Sequence, residues 1–448
     1  MRDVLLAIRR QRLHEPGRWL ERAVVWGGAA AVGLVTVLFA RLSETLSHGF
    51  QLLQMQAHWI PLVLTPLGGM LLVYTLRRWF AGAEGSGIPQ TIAALQAEDR
   101  QIGIGRFLSV RIALAKVSLG SLALGAGFSM GREGPSVQVG ASLMYALRRF
   151  LPAGHDVVPN HLILAGGAAG IAAAFNTPLA GIVFAIEELS RKFEHKTNGL
   201  LLSAIVLAGM VSISMQGNYL YFGHFQAPGI DSAIIVPVLV CGGVCGMAGG
   251  LFSRALLWSA RPWAGAAGRW RARHPVWFAG LCGLGVALIG LATQGATHGS
   301  GYEATRQMLA SPDAVGWHFA PAKLLATLLS YFSGAPGGIF APSLAVGAGI
   351  GHDLLPLLGQ SVPSAGIYAL CMAAFLGAVT QAPITAFIIV MEMIDGHEMV
   401  LSLMAATLIA SLVSRLFSPA LYHTLALRQL DRAADGAGQK KTAPEGAV

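Results

Sequence analysis

The stretch GREGPSVQVG, residues 131–140, lies in one of the most apolar regions of the chain and yet places an arginine next to a glutamate between two glycines. Ionisable side chains at membrane depth are energetically costly and tend to be retained for a function. If the surrounding chain crosses a membrane, Glu133 is therefore the first candidate for a functional residue.

The composition is that of a membrane protein. Of the 448 residues, 54% are hydrophobic and 12% are charged, whereas about a quarter of the residues of a soluble domain are charged. Residues 23–40 contain no charged side chain, and a run of that length can span the hydrocarbon core of a bilayer. Many similar runs follow, so the sequence predicts an all-α polytopic membrane protein.

The net charge of +9 comes from arginines and lysines that cluster before the first apolar run, between residues 254 and 273, and near the end. Clustering in short loops follows the positive-inside rule and places both termini and the central loop in the cytoplasm. It does not indicate a nucleic-acid partner, since a phosphate-binding patch would interleave surface aromatics. The N-terminal segment, interrupted at residues 16–17 by Pro-Gly, is interpreted as a cytoplasmic amphipathic helix rather than a signal peptide.

An internal repeat divides the chain into two halves. Residues 134–141, GPSVQVGA, match APSLAVGA at 341–348, and residues 178–187, PLAGIVFAIE, match PITAFIIVME at 383–392. The two matches have nearly the same spacing, which predicts two homologous halves. The expected organisation is an N-terminal helix at 1–22, a first repeat at 23–215, a connection at 216–232, a second repeat with a final helix at 233–430, and a disordered tail at 431–448.

Several apolar segments are too short to cross a bilayer alone and begin at a glycine or proline. They are residues 86–95, 133–147, 178–189, 339–351 and 383–394. Broken helices are tolerated in membranes where their ends face protein or a cavity. In transporters, the N-termini of such half-helices point at anionic substrates.

Three of these helix starts share a pattern, namely GSGIP at 85–89, GREGP at 131–135 and GGIFAP at 337–342. Glycines allow tight turns, and proline is tolerated in the first turn because its missing N–H is not needed there. Each start presents free N–H groups and the positive end of the helix dipole. Three together predict a cage that holds an anion through partial charges and can still release it.

These motifs, together with FNTPLAGIVFAIEE at 175–188, resemble the CLC family of chloride channels and proton-coupled chloride transporters, in the prokaryotic form without CBS domains. The resemblance covers about residues 20–430. It implies two inverted-topology halves with broken helices that meet at an anion pathway, and a homodimer with one pathway in each subunit. The apolar helices at 198–215 and 400–414 are the expected dimer interface.

The resemblance also implies a chloride site. The hydroxyl groups of Ser86 and Tyr422 and the backbone N–H groups of Ile339 and Phe340 would bind the central ion. The serine, where nitrate-preferring relatives tend to have proline, favours chloride over nitrate.

A second anion site is implied at the amides around Arg132 and Gly134. The Arg132 side chain is expected to bind backbone carbonyls or loop carboxylates rather than the anion. Glu133 would be the gating glutamate, whose charged carboxylate plugs the pathway and whose protonated form swings out. The alternative is a structural role for Glu133, as a residue at the start of a helix whose carboxylate is stabilised by the helix dipole.

A second glutamate bears on the choice between antiporter and channel. Glu188 matches the internal proton-transfer glutamate of the family's transporters, a position where its channels typically carry an apolar residue. The repeat pairs Glu187 with Glu392 but Glu188 with Met393. The duplicated glutamate is therefore interpreted as structural, as a loop cap or an interface residue, and Glu188 as specialised.

The sequence thus predicts a chloride/proton antiporter. A passive chloride channel gated by voltage or pH is the alternative, with Glu188 as a solvated carboxylate at the cytoplasmic face. No carboxylate lies between Gln90 and Gln96, so an internal proton path would use water or Glu98 and Asp99.

An enzyme is not expected, because no nucleophile or metal cluster accompanies Glu133, and the four cysteines lack the pattern of a zinc site. We expect no cofactor other than bound chloride and no metal. The expected partners are chloride, protons, the lipid bilayer and a second copy of the chain. The expected location is the inner (plasma) membrane of a prokaryote.

Overall fold

The computed structural model describes residues 16–152, 157–190, 198–217, 221–223, 232–310, 316–358 and 362–442. Within these ranges the chain forms eighteen α-helices and no β-strand. The predicted all-α fold is therefore confirmed.

The helices of the first half are α1 Pro16–Gln56, α2 Ile60–Trp79, α3 Ile88–Ala97, α4 Val110–Gly125, α5 Glu133–Leu147, α6 Pro159–Phe175, α7 Pro178–Phe184 and α8 Asn198–Gln216. Those of the second half are α9 Ile235–Ser259, α10 Gly265–Arg273, α11 Pro275–Ala292, α12 Tyr302–Ala310, α13 Phe319–Ser333, α14 Phe340–Leu358, α15 Ser364–Thr380, α16 Pro383–Ile394, α17 Val400–Arg415 and α18 Leu421–Thr442.

The described chain contains both long and short helices, as the apolar pattern predicts, but the segment expected to be short at 339–351 forms the 19-residue helix α14. Six helices within the described ranges are long and apolar enough to cross a membrane. The others include α3, α5 and α7, of 10, 15 and 7 residues. Each of these begins within three residues of a glycine or proline, at the positions that the sequence indicates. Short helices of this kind end inside the protein rather than at the bilayer surface.

The two halves repeat one another in their packing. Helix α5 packs against α6 as α14 packs against α15, and α1 packs against α8 as α9 packs against α17. The halves are joined by Gly131 and Gly338, which are equivalent positions of the repeat. The Gly131 N–H donates to the Gly338 carbonyl at 2.8 Å, and the Gly338 N–H donates to the Gly131 carbonyl at 2.7 Å. A reciprocal contact between equivalent residues is what a twofold relation between the halves requires.

The duplicated glutamates make a second reciprocal contact. The Glu187 carboxylate accepts hydrogen bonds from the N–H groups of Ile384 at 3.1 Å and Thr385 at 2.6 Å, at the start of α16. Glu392 does the same at the start of α7, where it accepts from Leu179 at 3.3 Å and Ala180 at 2.8 Å. Both carboxylates therefore stabilise helix starts, in keeping with a structural role.

The N-terminal boundary differs from the one expected. Helix α1 runs from Pro16 to Gln56 without a break, so residues 16–22 belong to the first membrane helix rather than to a separate N-terminal helix. The Pro16–Gly17 pair does not interrupt the helix within the described residues, since proline is tolerated in a first turn. Residues 1–15 of the expected N-terminal helix lie outside the described residues.

The C-terminal boundary also needs correction. Helix α18 continues through residue 431 to Thr442, so residues 431–442 are helical rather than disordered. Asp431 accepts a hydrogen bond from Arg100 at 2.7 Å, and Arg432 donates to the Ala260 carbonyl at 2.7 Å. These tertiary contacts hold a segment whose composition alone favours disorder. Residues 443–448 lie outside the described residues, as does most of the connection at 216–232.

Close packing of α5 on α6 depends on glycine. A Cβ atom at Gly140 would overlap the Gly166 carbonyl, and one at the equivalent Gly347 would overlap the Cys371 carbonyl at 2.6 Å.

We expect Gly140→Val and Gly347→Val each to destabilise the fold by about 1–3 kcal/mol, because an extra side chain in a packed core forces the helices apart. Thermal unfolding of the detergent-purified protein measures the effect. Gly243→Val in α9 is the control, since no atom lies within 4 Å of its Cβ; an equal loss there would contradict the explanation.

Candidate anion pathway

The three glycine-rich helix starts meet at one place. The bridge between Gly131 and Gly338 joins the start of α5 to that of α14. The Gly337 N–H donates to the Gly85 carbonyl at 3.1 Å and so attaches the loop before α3. A Cβ atom at Gly134 would overlap the hydroxyl and carbonyl oxygens of Ser86, so α5 approaches this loop as closely as only glycine permits. The structure therefore brings GSGIP, GREGP and GGIFAP together.

The four residues expected at the central chloride site are all buried. Three of them, Ser86, Phe340 and Tyr422, lie close together. The Phe340 and Tyr422 rings stack, with centroids 6.0 Å apart and an interplanar angle of 13°. The Tyr422 hydroxyl lies near the Ser86 hydroxyl without forming a hydrogen bond. Two hydroxyl groups that are buried and unpaired are costly unless a further partner binds them. A chloride ion is a suitable partner for both donors.

The backbone N–H groups of Ile339 and Phe340 complete this arrangement. Helix α14 begins at Phe340, and the first N–H groups of a helix have no acceptor within it. Both residues are buried. Among the backbone hydrogen bonds outside helices in the described chain, none uses either N–H as its donor. These donors are therefore available to an anion beside Ser86 and Tyr422.

Glu133 lies between the starts of two helices. It is the first residue of α5 and is 0% exposed. Its carboxylate approaches the N–H groups of Arg132, Glu133 and Ala341 without reaching hydrogen-bond geometry. The dipoles of α5 and α14 and their free N–H groups favour a negative charge in this position. A carboxylate here occupies a space that is equally suited to a chloride ion.

The Arg132 side chain points away from this space. One of its terminal nitrogens donates to the Ala40 carbonyl at 2.9 Å and to the Glu44 carboxylate at 2.7 Å, so the guanidinium is held by α1. The expectation that this side chain is structural agrees with these contacts. An anion-binding contribution from Arg132 would be confined to its backbone N–H, as at Gly134.

Glu188 is buried and lies in a π-helical turn, Ala185–Ser190, that continues α7. Such turns are rare and occur frequently at functional sites. Tyr422 lies within electrostatic range of both Glu133 and Glu188. The neighbouring residue, Glu187, accepts hydrogen bonds from the N–H groups at the start of α16. The two adjacent glutamates therefore have different surroundings. Glu187 binds the start of α16, whereas Glu188 is buried near Tyr422. Glu98 and Asp99 are exposed after α3.

Two buried lysines were missed by the sequence reasoning. Lys116 donates from its ammonium group to the carbonyls of Ala83 at 2.8 Å, Glu84 at 3.2 Å and Gly85 at 2.7 Å. Lys323 donates to the carbonyls of Thr297 at 2.9 Å and Gly299 at 2.8 Å. Each lysine therefore fixes the loop that precedes α3 or α12.

A sequence signal for these lysines was available. Lys116 and Lys323 are separated by the same 207 positions as GPSVQVGA and APSLAVGA, and GSG recurs at 85–87 and 299–301. Because C=O and N–H point in opposite directions across a trans peptide bond, a Gly85 carbonyl directed at Lys116 turns the Ser86 N–H the other way. The lysine thereby orients the loop that carries Ser86.

Comparison with known proteins agrees with this architecture. The family model described as voltage gated chloride channel matches residues 68–415. The chain is 32% identical over 436 residues to the H(+)/Cl(-) exchange transporter ClcA of Cronobacter sakazakii, covering 91% of this chain and 90% of that protein. It is 31% identical over 456 residues to the protein of the same name from Klebsiella pneumoniae, covering 96% and 94%.

Solved structures share the fold. A slow cyanobacterial Cl-/H+ antiporter superimposes with a TM-score of 0.78 at 25% identity, covering 91% of this chain and 98% of that one. A CLC-type fluoride/proton antiporter has a TM-score of 0.73 at 24% identity, covering 90% and 96%. From the family match and the sequence identity over nearly the whole chain, this protein belongs to the CLC family.

Proposed function

We propose that the protein is a chloride/proton antiporter. The observation that carries the proposal is the buried carboxylate of Glu133 at two converging helix starts, beside the unpaired hydroxyl groups of Ser86 and Tyr422. Helix starts and hydroxyl groups suit an anion, whereas a carboxylate among them suits exchange with a proton. The names of the similar ClcA proteins support the same activity.

Chloride would pass through two sites in this proposal. At the central site the hydroxyl groups of Ser86 and Tyr422 and the N–H groups of Ile339 and Phe340 bind the ion. At the outer site the backbone N–H groups around Arg132 and Gly134 bind it. Both sites use dipoles rather than a full positive charge, so an ion binds and is released on the timescale of transport.

Exchange would follow from competition for the outer site. Charged Glu133 and a chloride ion cannot share it, because two negative charges a few ångströms apart repel strongly in a poorly solvated environment. Protonation removes the charge and lets the side chain leave. Chloride therefore enters the outer site while Glu133 holds a proton, and the return of the charged carboxylate to the site accompanies release of that proton.

Glu188 would deliver protons from the cytoplasmic side. Its burial near Tyr422 provides a second carboxylate close to the central chloride site. A passive channel has no use for a buried acid at this position, which favours coupled exchange over the channel. Since α3 supplies no carboxylate between Gln90 and Gln96, water and the exposed Glu98 and Asp99 would connect Glu188 to the cytoplasm.

A homodimer in the inner membrane of a bacterium completes the proposal, with both termini in the cytoplasm. Helices α8 and α17 present large apolar side chains to the outside, Leu202, Val206, Met210, Leu401, Leu408 and Leu412. The short helices α7 and α16 also expose Leu179 and Ile384. A second copy that covers this face would shield helices that are too short to span the bilayer themselves.

Glu188→Gln should abolish proton movement while chloride flux continues, since the amide cannot carry a proton to Glu133. The measurement uses proteoliposomes with a chloride gradient and no pH gradient, and follows external pH with and without an uncoupler. Glu187→Gln is the matched control. It should lower stability, because hydrogen bonds to a charged group contribute about 1.5–3 kcal/mol each, but should leave the ratio of protons to chloride unchanged. Chloride flux without proton movement in the unmodified protein would mean a channel.

Glu133→Gln should uncouple transport in a different way. The neutral amide no longer competes as a charge for the outer site, so chloride should bind more tightly while proton movement is lost. Isothermal titration with chloride measures the first effect and the liposome assay measures the second. Unchanged chloride affinity together with intact proton coupling would show that Glu133 is only a stabilised helix-start residue.

A further inference from the structure

Four arginines from three elements converge at one end of the molecule. Arg261 follows α9, Arg271 belongs to α10, and Arg428 and Arg432 lie one turn apart in α18. Arg428 donates to the Leu257 carbonyl at 2.8 Å, and Arg432 donates to the Ala260 carbonyl at 2.7 Å. These bonds hold α18 against the end of α9 and bring the guanidinium groups together. We refer to Arg261, Arg271, Arg428 and Arg432 as the arginine cluster.

The loop and helix that carry Arg261 and Arg271 contain no acidic residue. Residues 232–302, which include α9, α10 and α11, contain no aspartate or glutamate. Within the described part of the chain, none of the four arginines has a carboxylate at ion-pair distance, and Asp431 is paired with Arg100 at 2.7 Å. Burial lowers the pKa of Arg428, and the charges of Arg261 and Arg432 lower it further. The cluster is therefore self-repelling, and an anion would stabilise it.

Aromatic side chains pack beside these arginines. The Arg271 guanidinium lies 4.4 Å from the Trp263 ring centroid and 5.0 Å from that of Phe278. Trp263 stacks on Trp258 with centroids 4.5 Å apart. The indole N–H of Trp263 is buried and has no hydrogen-bond acceptor. A buried donor without an acceptor is costly.

The cluster is expected at the level of lipid headgroups. Two candidate membrane spans, Ile235–Ser259 and Pro275–Ala292, end and begin on either side of it. Trp258, Trp270 and Trp277 around it are 51%, 40% and 62% exposed. Exposed tryptophans mark the boundary between hydrocarbon and headgroups, and arginine-rich short loops mark the cytoplasmic side.

We propose that the arginine cluster binds the phosphate headgroup of an anionic phospholipid of the cytoplasmic leaflet. Guanidinium groups bind phosphate oxygens through paired hydrogen bonds, and basic pockets between membrane helices are suited to anionic headgroups. The exposed tryptophans favour a lipid over a soluble phosphate, because they give the acyl chains an apolar surface next to the charges. The site is separate from the anion pathway and does not depend on the proposed function.

Binding is tested on the full-length protein in neutral detergent by native mass spectrometry. The probes are diphosphatidylglycerol, phosphatidylglycerol, phosphatidylcholine and inorganic phosphate. We expect both anionic lipids to bind and phosphatidylcholine not to bind. Arg261→Gln and Arg271→Gln should each weaken binding of the anionic lipids about fivefold, which corresponds to roughly 1 kcal/mol for one arginine near a membrane surface. The double variant should weaken it about thirtyfold.

Arg415→Gln is the matched control, since this exposed arginine at the end of α17 lies outside the cluster. It should bind both lipids like the unmodified protein. Arg261 is itself exposed, so its replacement tests the site even if the Arg271 variant folds poorly. An equal loss in Arg415→Gln would show attraction to surface charge in general and would overturn the proposal. Displacement of lipid by millimolar inorganic phosphate would show a site for soluble phosphate, and would overturn it too.

Discussion

The reciprocal hydrogen bonds between Gly131 and Gly338 are the constraint on which the anion pathway depends. Each half of the chain ends a loop and begins a helix at this point, α5 in the first half and α14 in the second. Unpaired backbone N–H groups are too costly to face lipid. Pairing the two loops covers part of that backbone and leaves the first N–H groups of α5 and α14 open in a buried space that favours an anion.

The repeat gives both halves the same backbone at this point and different side chains. Position 133 is equivalent to position 340, so the half that carries Glu133 supplies an ionisable group where the other supplies Phe340. Phe340 stacks on Tyr422 and contributes only its N–H and its ring. The same divergence separates Glu188 from its equivalent, Met393. In contrast, Glu187 and Glu392 are the same residue with the same helix-start contact. Residues that serve the fold are thus retained in both halves, whereas those proposed to serve the proton occur once.

Local patterns predicted much of the fold and part of the site. The short helices could be predicted because glycine and proline signals mark their starts, and the structural role of Glu187 could be predicted because the repeat duplicates it. The repeat marks Lys116 as a duplicated residue, but its contacts with the loop before α3 could not be predicted, since they join residues about thirty positions apart through a buried ammonium group. The helical continuation past residue 431 was missed for a similar reason. Its composition favours disorder, and its order depends on Arg100 and on the end of α9, which local propensity does not register.

Helix α18 connects the proposed chloride site with the arginine cluster. Its first turn carries Tyr422 of the proposed chloride site, and Arg432 of the arginine cluster lies ten residues later. An α-helix rises about 1.5 Å per residue, so the two groups are about 15 Å apart on one continuous, hydrogen-bonded rod. Tyr422 is held by stacking on Phe340 rather than by a hydrogen bond, so the position of its hydroxyl follows the position of the helix. The bonds from Arg428 and Arg432 to the end of α9 fix that position. The arginine cluster and the proposed anion site are therefore connected through a single helix.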